Sequence, residues 1–148
     1  MSKDGFTFSS KQIDVNKKIT IVASKWNAAL VDELLESGKA HLEELGFTNI
    51  KIVNVPGAWE LVHAAQRELA DADGVIAYGV VIRGETTHYE LISESAAHGL
   101  MQVSVNANKP IGFGLIAVEN LSQALERTDS SKLNKGKEIA QSLVEMLS

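Results

Sequence analysis

The sequence predicts an α/β fold in which a central four-stranded parallel sheet is covered by helices on both faces. Two observations support this prediction. Four short and nearly continuous apolar runs alternate with longer stretches of helical periodicity, and parallel strands have this apolar character because both of their faces are buried. The chain has 148 residues, 45% of them hydrophobic, which is enough for one compact domain over residues 1–148.

The first half of the chain contains two strand–helix units. Residues 19–23 are apolar and rich in β-branched side chains, which predicts a strand, and leucines at helical spacing predict a helix over residues 30–45. A second apolar run at residues 50–55 predicts the next strand, and a second helical stripe follows at residues 61–69. The repeated unit indicates βαβ connections, which are right-handed in nearly all proteins.

The second half repeats the pattern and adds a helix. Residues 74–82 predict the third strand, residues 87–106 a helix, residues 111–118 the fourth strand, residues 121–127 a short helix and residues 139–147 a last amphipathic helix. On the helix after the third strand, we expect one apolar face to carry Leu91, Ile92, Ala96, Leu100 and Met101.

Composition excludes several classes of function. The formal net charge is −5 and there is no basic block, so the chain has no electrostatic footprint for nucleic acid. There is no cysteine, which excludes disulfides and thiol nucleophiles. No apolar run has the length of a signal core or a membrane span, so we expect a cytoplasmic protein without membrane contact. Residues 1–12 predict an extended arm that is stable mainly when it pairs with another segment, such as a neighbouring subunit.

The first two strands end in tryptophans. Ligands of open α/β sheets bind outside the carboxyl ends of the strands, and Trp26 and Trp59 each follow such an end. In a chain with only 5% aromatic residues, this placement suggests a platform for a flat ligand. The alternative is that each indole closes the end of the core.

The third strand runs into the segment 83–88, which contains a glycine, two threonines and His88. Unpaired N–H groups and the positive end of the dipole at a helix start attract phosphate or carboxylate, and Gly84 allows a close backbone approach. At the first helical position the dipole favours a neutral imidazole, which can act as a base. The alternative is a capping box formed by Thr87 and Glu90 beside an exposed histidine.

The other titratable residues give weaker signals. We interpret His41, His63 and His98 as surface residues, because they have no metal-ligand spacing. Arg127 and Lys135 flank a polar loop and either bind an anion or are solvated charges. Neither a dinucleotide fingerprint nor a P-loop occurs.

Taken together, the motifs of this chain resemble the 6,7-dimethyl-8-ribityllumazine synthase family over residues 19–147. The resemblance depends on several ordered motifs, which are Trp26-Asn27, residues 55–60, residues 79–88, Phe113, residues 123–127 and residues 134–136. Departures are modest: members often have Phe or Tyr in place of Trp26 and Trp59 and Pro in place of Thr87, and residues 117–120 differ from the common pattern.

The resemblance implies a flavodoxin-like strand order and an activity. The activity is the condensation of 5-amino-6-(D-ribitylamino)uracil with 3,4-dihydroxy-2-butanone 4-phosphate, the penultimate step of riboflavin biosynthesis, without a metal or organic cofactor. The implied course is imine formation, phosphate loss, ring closure and dehydration. Two alternatives are a binding or container paralogue with reduced activity and an FMN-binding module, for which the first strand exit is a poor phosphate loop.

The resemblance also implies roles for individual residues. Trp26 stacks on the pyrimidine, and His88 moves protons. The other implied substrate contacts are Ala58, Trp59 and Glu60 for the ribityl chain, Val80, Val81 and Ile82 for the ring edge, Glu85, Thr86 and Arg127 for the phosphate, and Phe113.

In the family, Phe113 and Arg127 come from the adjacent subunit, so the resemblance implies a homo-oligomer with its active site at a subunit interface. The loop at residues 127–134 lacks the insertion of members that are restricted to pentamers. The expected assembly is therefore a pentamer or a 60-subunit icosahedral shell of twelve pentamers, with riboflavin synthase as a further expected partner. The arm at residues 1–12 would add to a neighbour's sheet.

Overall fold

The computed structural model describes residues 3–5, 7–8, 12–84 and 88–147. Its strands and helices follow one another as β1 (Ile19–Ser24), α1 (Ala28–Leu45), β2 (Ile50–Val55), α2 (Ala58–Leu69), β3 (Gly74–Ile82), α3 (His88–Ala107), β4 (Ile111–Val118), α4 (Leu121–Thr128) and α5 (Lys135–Leu147). Every predicted strand and helix is present.

The four strands form one parallel sheet in the order β2-β1-β3-β4. Alternate residues of a strand point to opposite faces, so β3 sends Ile76 and Tyr78 to one side and Val75 and Ala77 to the other. The first side is covered by α1, α4 and α5, and the second by α2 and α3. The predicted three-layer α/β/α sandwich with flavodoxin-like strand order is confirmed.

Tyr78 lies at the centre of the layer that contains α1 and α5. Its side chain is fully buried, and its hydroxyl donates a hydrogen bond of 2.6 Å to the carbonyl of Gly136 at the start of α5. A Cβ added to Gly38 of α1 would overlap the Tyr78 hydroxyl. Burial raises the pKa of the Tyr78 phenol well above its ordinary value. The residue is therefore a neutral donor that sets how closely α1 and α5 approach the sheet.

Helix α3 departs from the expected apolar face. Ala96 and Leu100 are buried, but Leu91 and Met101 are 63% and 68% exposed, so the prediction that they share the core-facing stripe is wrong for these two. The apolar residues of α3 extend around more of the helix than the sheet can cover. None of the helices in the described ranges combines the length and apolar character needed to cross a bilayer.

His41 on α1 is buried, so the prediction that it is a surface residue is wrong. His63 and His98 are exposed, as predicted, but His41 is only 7% exposed. Its ring meets Phe8 of the arm edge-on, with centroids 5.7 Å apart, and neither ring nitrogen has a hydrogen-bond partner among the described residues. Burial lowers the pKa of His41, nearby Lys137 lowers it further, and Glu44 opposes the shift. Phe8 covers the ring, which helical periodicity alone did not predict.

The contacts around Tyr78 predict that two substitutions have coupled effects on the free energy of unfolding. Tyr78→Phe should cost about 1–3 kcal/mol of unfolding free energy because the buried Gly136 carbonyl loses its donor. Gly38→Ala should cost about 1–3 kcal/mol because the new methyl group meets the hydroxyl. The second cost should shrink in the Tyr78→Phe background, since the overlapping oxygen is absent. Urea unfolding of the four proteins at one protein concentration measures this coupling, and additive effects would contradict it.

His41 predicts a pH dependence of stability. Its folded pKa lies below the ordinary value of 6.5, so the unfolded chain binds the proton first as the pH falls. The free energy of unfolding should therefore decrease from about pH 7.5 to about pH 5.5, by at most about 1.4 kcal/mol per pH unit from this residue. His41→Leu should flatten the profile, whereas His98→Leu, at an exposed position, should not. Equal slopes in wild type and His41→Leu would contradict this assignment.

Candidate functional site

The carboxyl ends of β1, β2 and β3 enclose a cleft of about 400 Å³ at one edge of the sheet. Its lining residues are Trp26, Asn27, Gly57, Ala58, Trp59, Glu60, Val80, Val81, Ile82, His88 and Ile92. The described residues that were predicted at these three strand exits therefore lie together. Sequence analysis did not select Asn27, Gly57 or Ile92 as site residues.

The two tryptophans form an exposed part of the cleft wall. Trp26 is 74% exposed and Trp59 is 64% exposed, so the alternative that they close the core is wrong. The indole of Trp26 lies over Gly57, where a Cβ would be only 3.1 Å from its Cδ1 atom. Exposed aromatic faces beside an apolar cleft are suited to stacking against a planar ligand.

The start of α2 forms the polar part of the cleft. Gly57 precedes the helix with extended backbone and provides no side-chain cap, and Glu60 lies in the first turn. The first N–H groups of a helix have no intrahelical acceptors. This wall therefore offers backbone donors and a carboxylate acceptor, which is a combination that suits a ligand with hydroxyl groups.

At the exit of β3, α3 begins at His88, as predicted, and His88 lines the cleft. The predicted phosphate contacts Glu85 and Thr86, and the predicted cap Thr87, lie outside the described residues.

Arg83, which follows β3 directly, forms ion pairs with two carboxylates. Its guanidinium lies 3.1 Å from Glu90 of α3 and 3.3 Å from Glu119 after β4. These groups are about half exposed, so the ion pairs contribute little to stability. These ion pairs connect the start of α3 to the end of β4. They account for an arginine at position 83 without a bound ligand.

Phe113 and Arg127 lie away from the cleft of their own chain. Phe113 is in register with Ala77, five residues before the end of β4, which places it about 16 Å from the carboxyl edge of the sheet. It lines a separate apolar cleft of about 330 Å³ against α3. Arg127 is in the last turn of α4 and donates to the carbonyl of Gln123 at 3.3 Å. Their predicted contribution from an adjacent subunit stays a prediction.

Lys135 differs from Arg127, although both flank the same loop. Lys135 is 1% exposed, and its Nζ atom lies 3.1 Å from both carboxylate oxygens of Glu138. The alternative that it is a solvated loop charge is therefore wrong. α5 begins at Lys135, and α1 packs closely against this start of α5. The burial of Lys135 depends on this contact between distant segments, which the local sequence pattern did not predict.

The strand order and the cleft define a layered α/β protein with a cleft at the carboxyl edge of its sheet, which is where proteins of this architecture bind small molecules. The sequence model of the 6,7-dimethyl-8-ribityllumazine synthase family matches residues 16–148. The synthase of Leuconostoc mesenteroides subsp. mesenteroides is 40% identical over 145 residues, covering 95% of this chain and 93% of the relative. That of Kineococcus radiotolerans is 42% identical over 144 residues, covering 93% and 87%. The chain belongs to the 6,7-dimethyl-8-ribityllumazine synthase family.

Proposed function

We propose that the protein condenses 5-amino-6-(D-ribitylamino)uracil with 3,4-dihydroxy-2-butanone 4-phosphate to 6,7-dimethyl-8-ribityllumazine and releases phosphate and water. This reaction is the penultimate step of riboflavin biosynthesis, and the proposal includes a cytoplasmic location. The observation that carries it is the cleft at the three strand exits, which lies in a chain whose family match extends over residues 16–148. The residues that line this cleft match the chemistry of one planar and hydroxylated substrate.

The planar substrate would lie between Trp26 and the exit of β3. Trp26 offers an exposed indole face, and the apolar residues 80–82 line the same cleft. The ribityl chain would then extend toward Ala58, Trp59 and Glu60, where uncapped helix N–H groups and a carboxylate can bind hydroxyls. Stacking fixes the ring plane, and the polar wall fixes its rotation within that plane.

The second substrate would bind near the start of α3. Glu85 and Thr86 would bind the phosphate through backbone N–H groups, and Arg127 of an adjacent subunit would neutralise its charge. Phosphate leaves more readily when its negative charge is stabilised. His88 at the helix start would move protons during enolisation and dehydration. Much of the rate acceleration would come from holding the two reactants together.

The proposal includes a homo-oligomer, a pentamer or a 60-subunit shell of twelve pentamers, in which Phe113 and Arg127 complete the neighbour's cleft. Two features of the single chain support it. Neither residue lines the cleft of its own chain, and Met101 and Val105, 68% and 71% exposed, surround Phe113 with uncovered apolar surface. Association with riboflavin synthase and pairing of the arm with a neighbour's sheet remain predictions.

Stacking on Trp26 predicts a selective change in substrate affinity. Trp26→Ala should raise KM for the pyrimidine about tenfold, because an aromatic pair contributes about 0.5–1.5 kcal/mol beyond area burial. Trp26→Phe should retain most of the affinity, and KM for the butanone phosphate should stay within about twofold of wild type. Product absorbance and released phosphate, followed at varied concentrations of each substrate, measure both constants. An unchanged pyrimidine KM in Trp26→Ala would remove the stacking role.

The shared site predicts complementation between two inactive variants. Arg127→Ala should lose most activity, and so should Trp26→Ala combined with His88→Ala. Randomly mixed assemblies of the two should recover about one quarter of wild-type activity, since one interface in four then has both intact halves.

A matched control for this mixing experiment is Arg67→Ala, which removes an exposed arginine of α2 and should retain activity. Mixed assemblies that stay as inactive as their parents would place Arg127 and His88 in the same subunit's site. Wild-type protein that does not accelerate the reaction over the spontaneous rate would contradict the proposed function and favour a binding or container protein.

A further inference from the structure

The turn between β1 and α1 has an unusual backbone at Asn27. Its φ and ψ are 59° and 45°, in the left-handed region, which asparagine tolerates better than most residues. Asn27 also precedes the first residue of α1, where an asparagine side chain commonly accepts a hydrogen bond from the helix. Here it makes no such bond. The side-chain amide of Asn27 therefore does not cap α1 and is available to a group outside the helix.

The Nδ2 atom of Asn27 donates a hydrogen bond of 2.8 Å to the carbonyl of Val80 on β3. Because the acceptor is a carbonyl, the nitrogen of the amide must face it. The bond joins residues 53 positions apart in the sequence. It crosses from the end of β1 to the wall of the cleft.

This hydrogen bond takes the place of a backbone hydrogen bond between β1 and β3. The pairing of β1 with β3 ends at Ala23 and Tyr78, while β3 continues to Ile82. The backbone N–H and C=O groups of the even-numbered residues of β3 point toward β1. The N–H group of Gly74, which donates to the carbonyl of Lys18 at 3.3 Å, indicates this direction. The carbonyl of Val80, a residue that is 3% exposed, thus faces β1 beyond the last pair and receives the Asn27 amide instead of a strand N–H.

The next backbone N–H that could have continued the ladder belongs to Trp26. It donates instead to Pro56 at 3.3 Å, and Lys25 N–H donates to Val55 at 2.8 Å. Residues 25–27 are therefore bonded to the exit of β2 through their backbone and to the exit of β3 through the Asn27 side chain. This tripeptide, which follows β1, therefore connects the end of β1 to the ends of β2 and β3.

We infer that Asn27 is a positioning residue of the proposed site, whose amide sets the distance between the Trp26 indole and the Val80 backbone. This inference rests on the proposed function, because the planar substrate would enter the slot between these two walls. Loss of the amide leaves the Val80 carbonyl without its donor and leaves Trp26 on a turn bonded only to β2.

Two substitutions separate the amide from the backbone conformation. Asn27→Gly keeps access to the left-handed region but removes the amide, and Asn27→Asp keeps the size but removes the donor. Asn108→Gly and Asn108→Asp are matched controls, because Asn108 has a left-handed φ of 52° and is exposed beyond the end of α3.

Both Asn27 variants should raise KM for the pyrimidine about tenfold, with KM for the butanone phosphate within about twofold of wild type. In a Trp59→Phe background, where Trp26 is the only tryptophan, Asn27→Gly should also lower the fluorescence anisotropy of the indole. The Asn108 variants should change neither measurement. The unfolding midpoint should fall further in the Asn27 variants than in the Asn108 variants, because the Val80 carbonyl loses its donor.

Three outcomes would count against the inference or the function on which it rests. If the Asn27 variants keep the pyrimidine KM within twofold while Trp26→Ala raises it, the inference is wrong and the proposed site stands. If both KM values rise together, loss of the amide disturbs the site as a whole, Asn27 is merely structural and the inference is wrong. If wild-type protein forms no product, the proposed function fails first.

Discussion

The hydrogen bond from Tyr78 to the carbonyl of Gly136 constrains one whole side of the molecule. It places a large, fully buried aromatic residue at the middle of the central strand and uses its only polar atom to hold the start of α5. The space for the hydroxyl exists because α1 has a glycine, Gly38, opposite it. A close-packed interior tolerates no void or overlap at such a position. The distances of α1 and α5 from the sheet therefore follow from one side chain.

The same strand produces the cleft. β3 has nine residues and extends past the end of β1, so its last residues have no β1 partner on that side. In most parallel sheets this edge is where ligands bind. Here the Asn27 amide donates to the Val80 carbonyl, while residues 80–82 line the cleft. The core and the site are thus successive parts of one strand.

A single chain leaves much of its aromatic surface uncovered. Trp26 and Trp59 are exposed at the cleft, and Phe113 is 41% exposed beside α3. Exposed apolar patches of this kind mark ligand sites and subunit contacts. The proposed function assigns the tryptophans to the substrate and Phe113 to a neighbouring subunit. Under that assignment, assembly and catalysis depend on each other, because each cleft needs a residue that its own chain holds elsewhere.

The sequence by itself determined the order and type of every strand and helix, because apolar periodicity is a local property of the chain. It also determined that both tryptophans and His88 follow strand exits, since parallel strands end at a common edge. Only the tertiary structure decided which polar groups are buried and paired. Arg83 pairs with Glu119 from 36 positions away and Asn27 with Val80 from 53 positions away. Such contacts depend on how distant segments pack, and no local pattern encodes their distances.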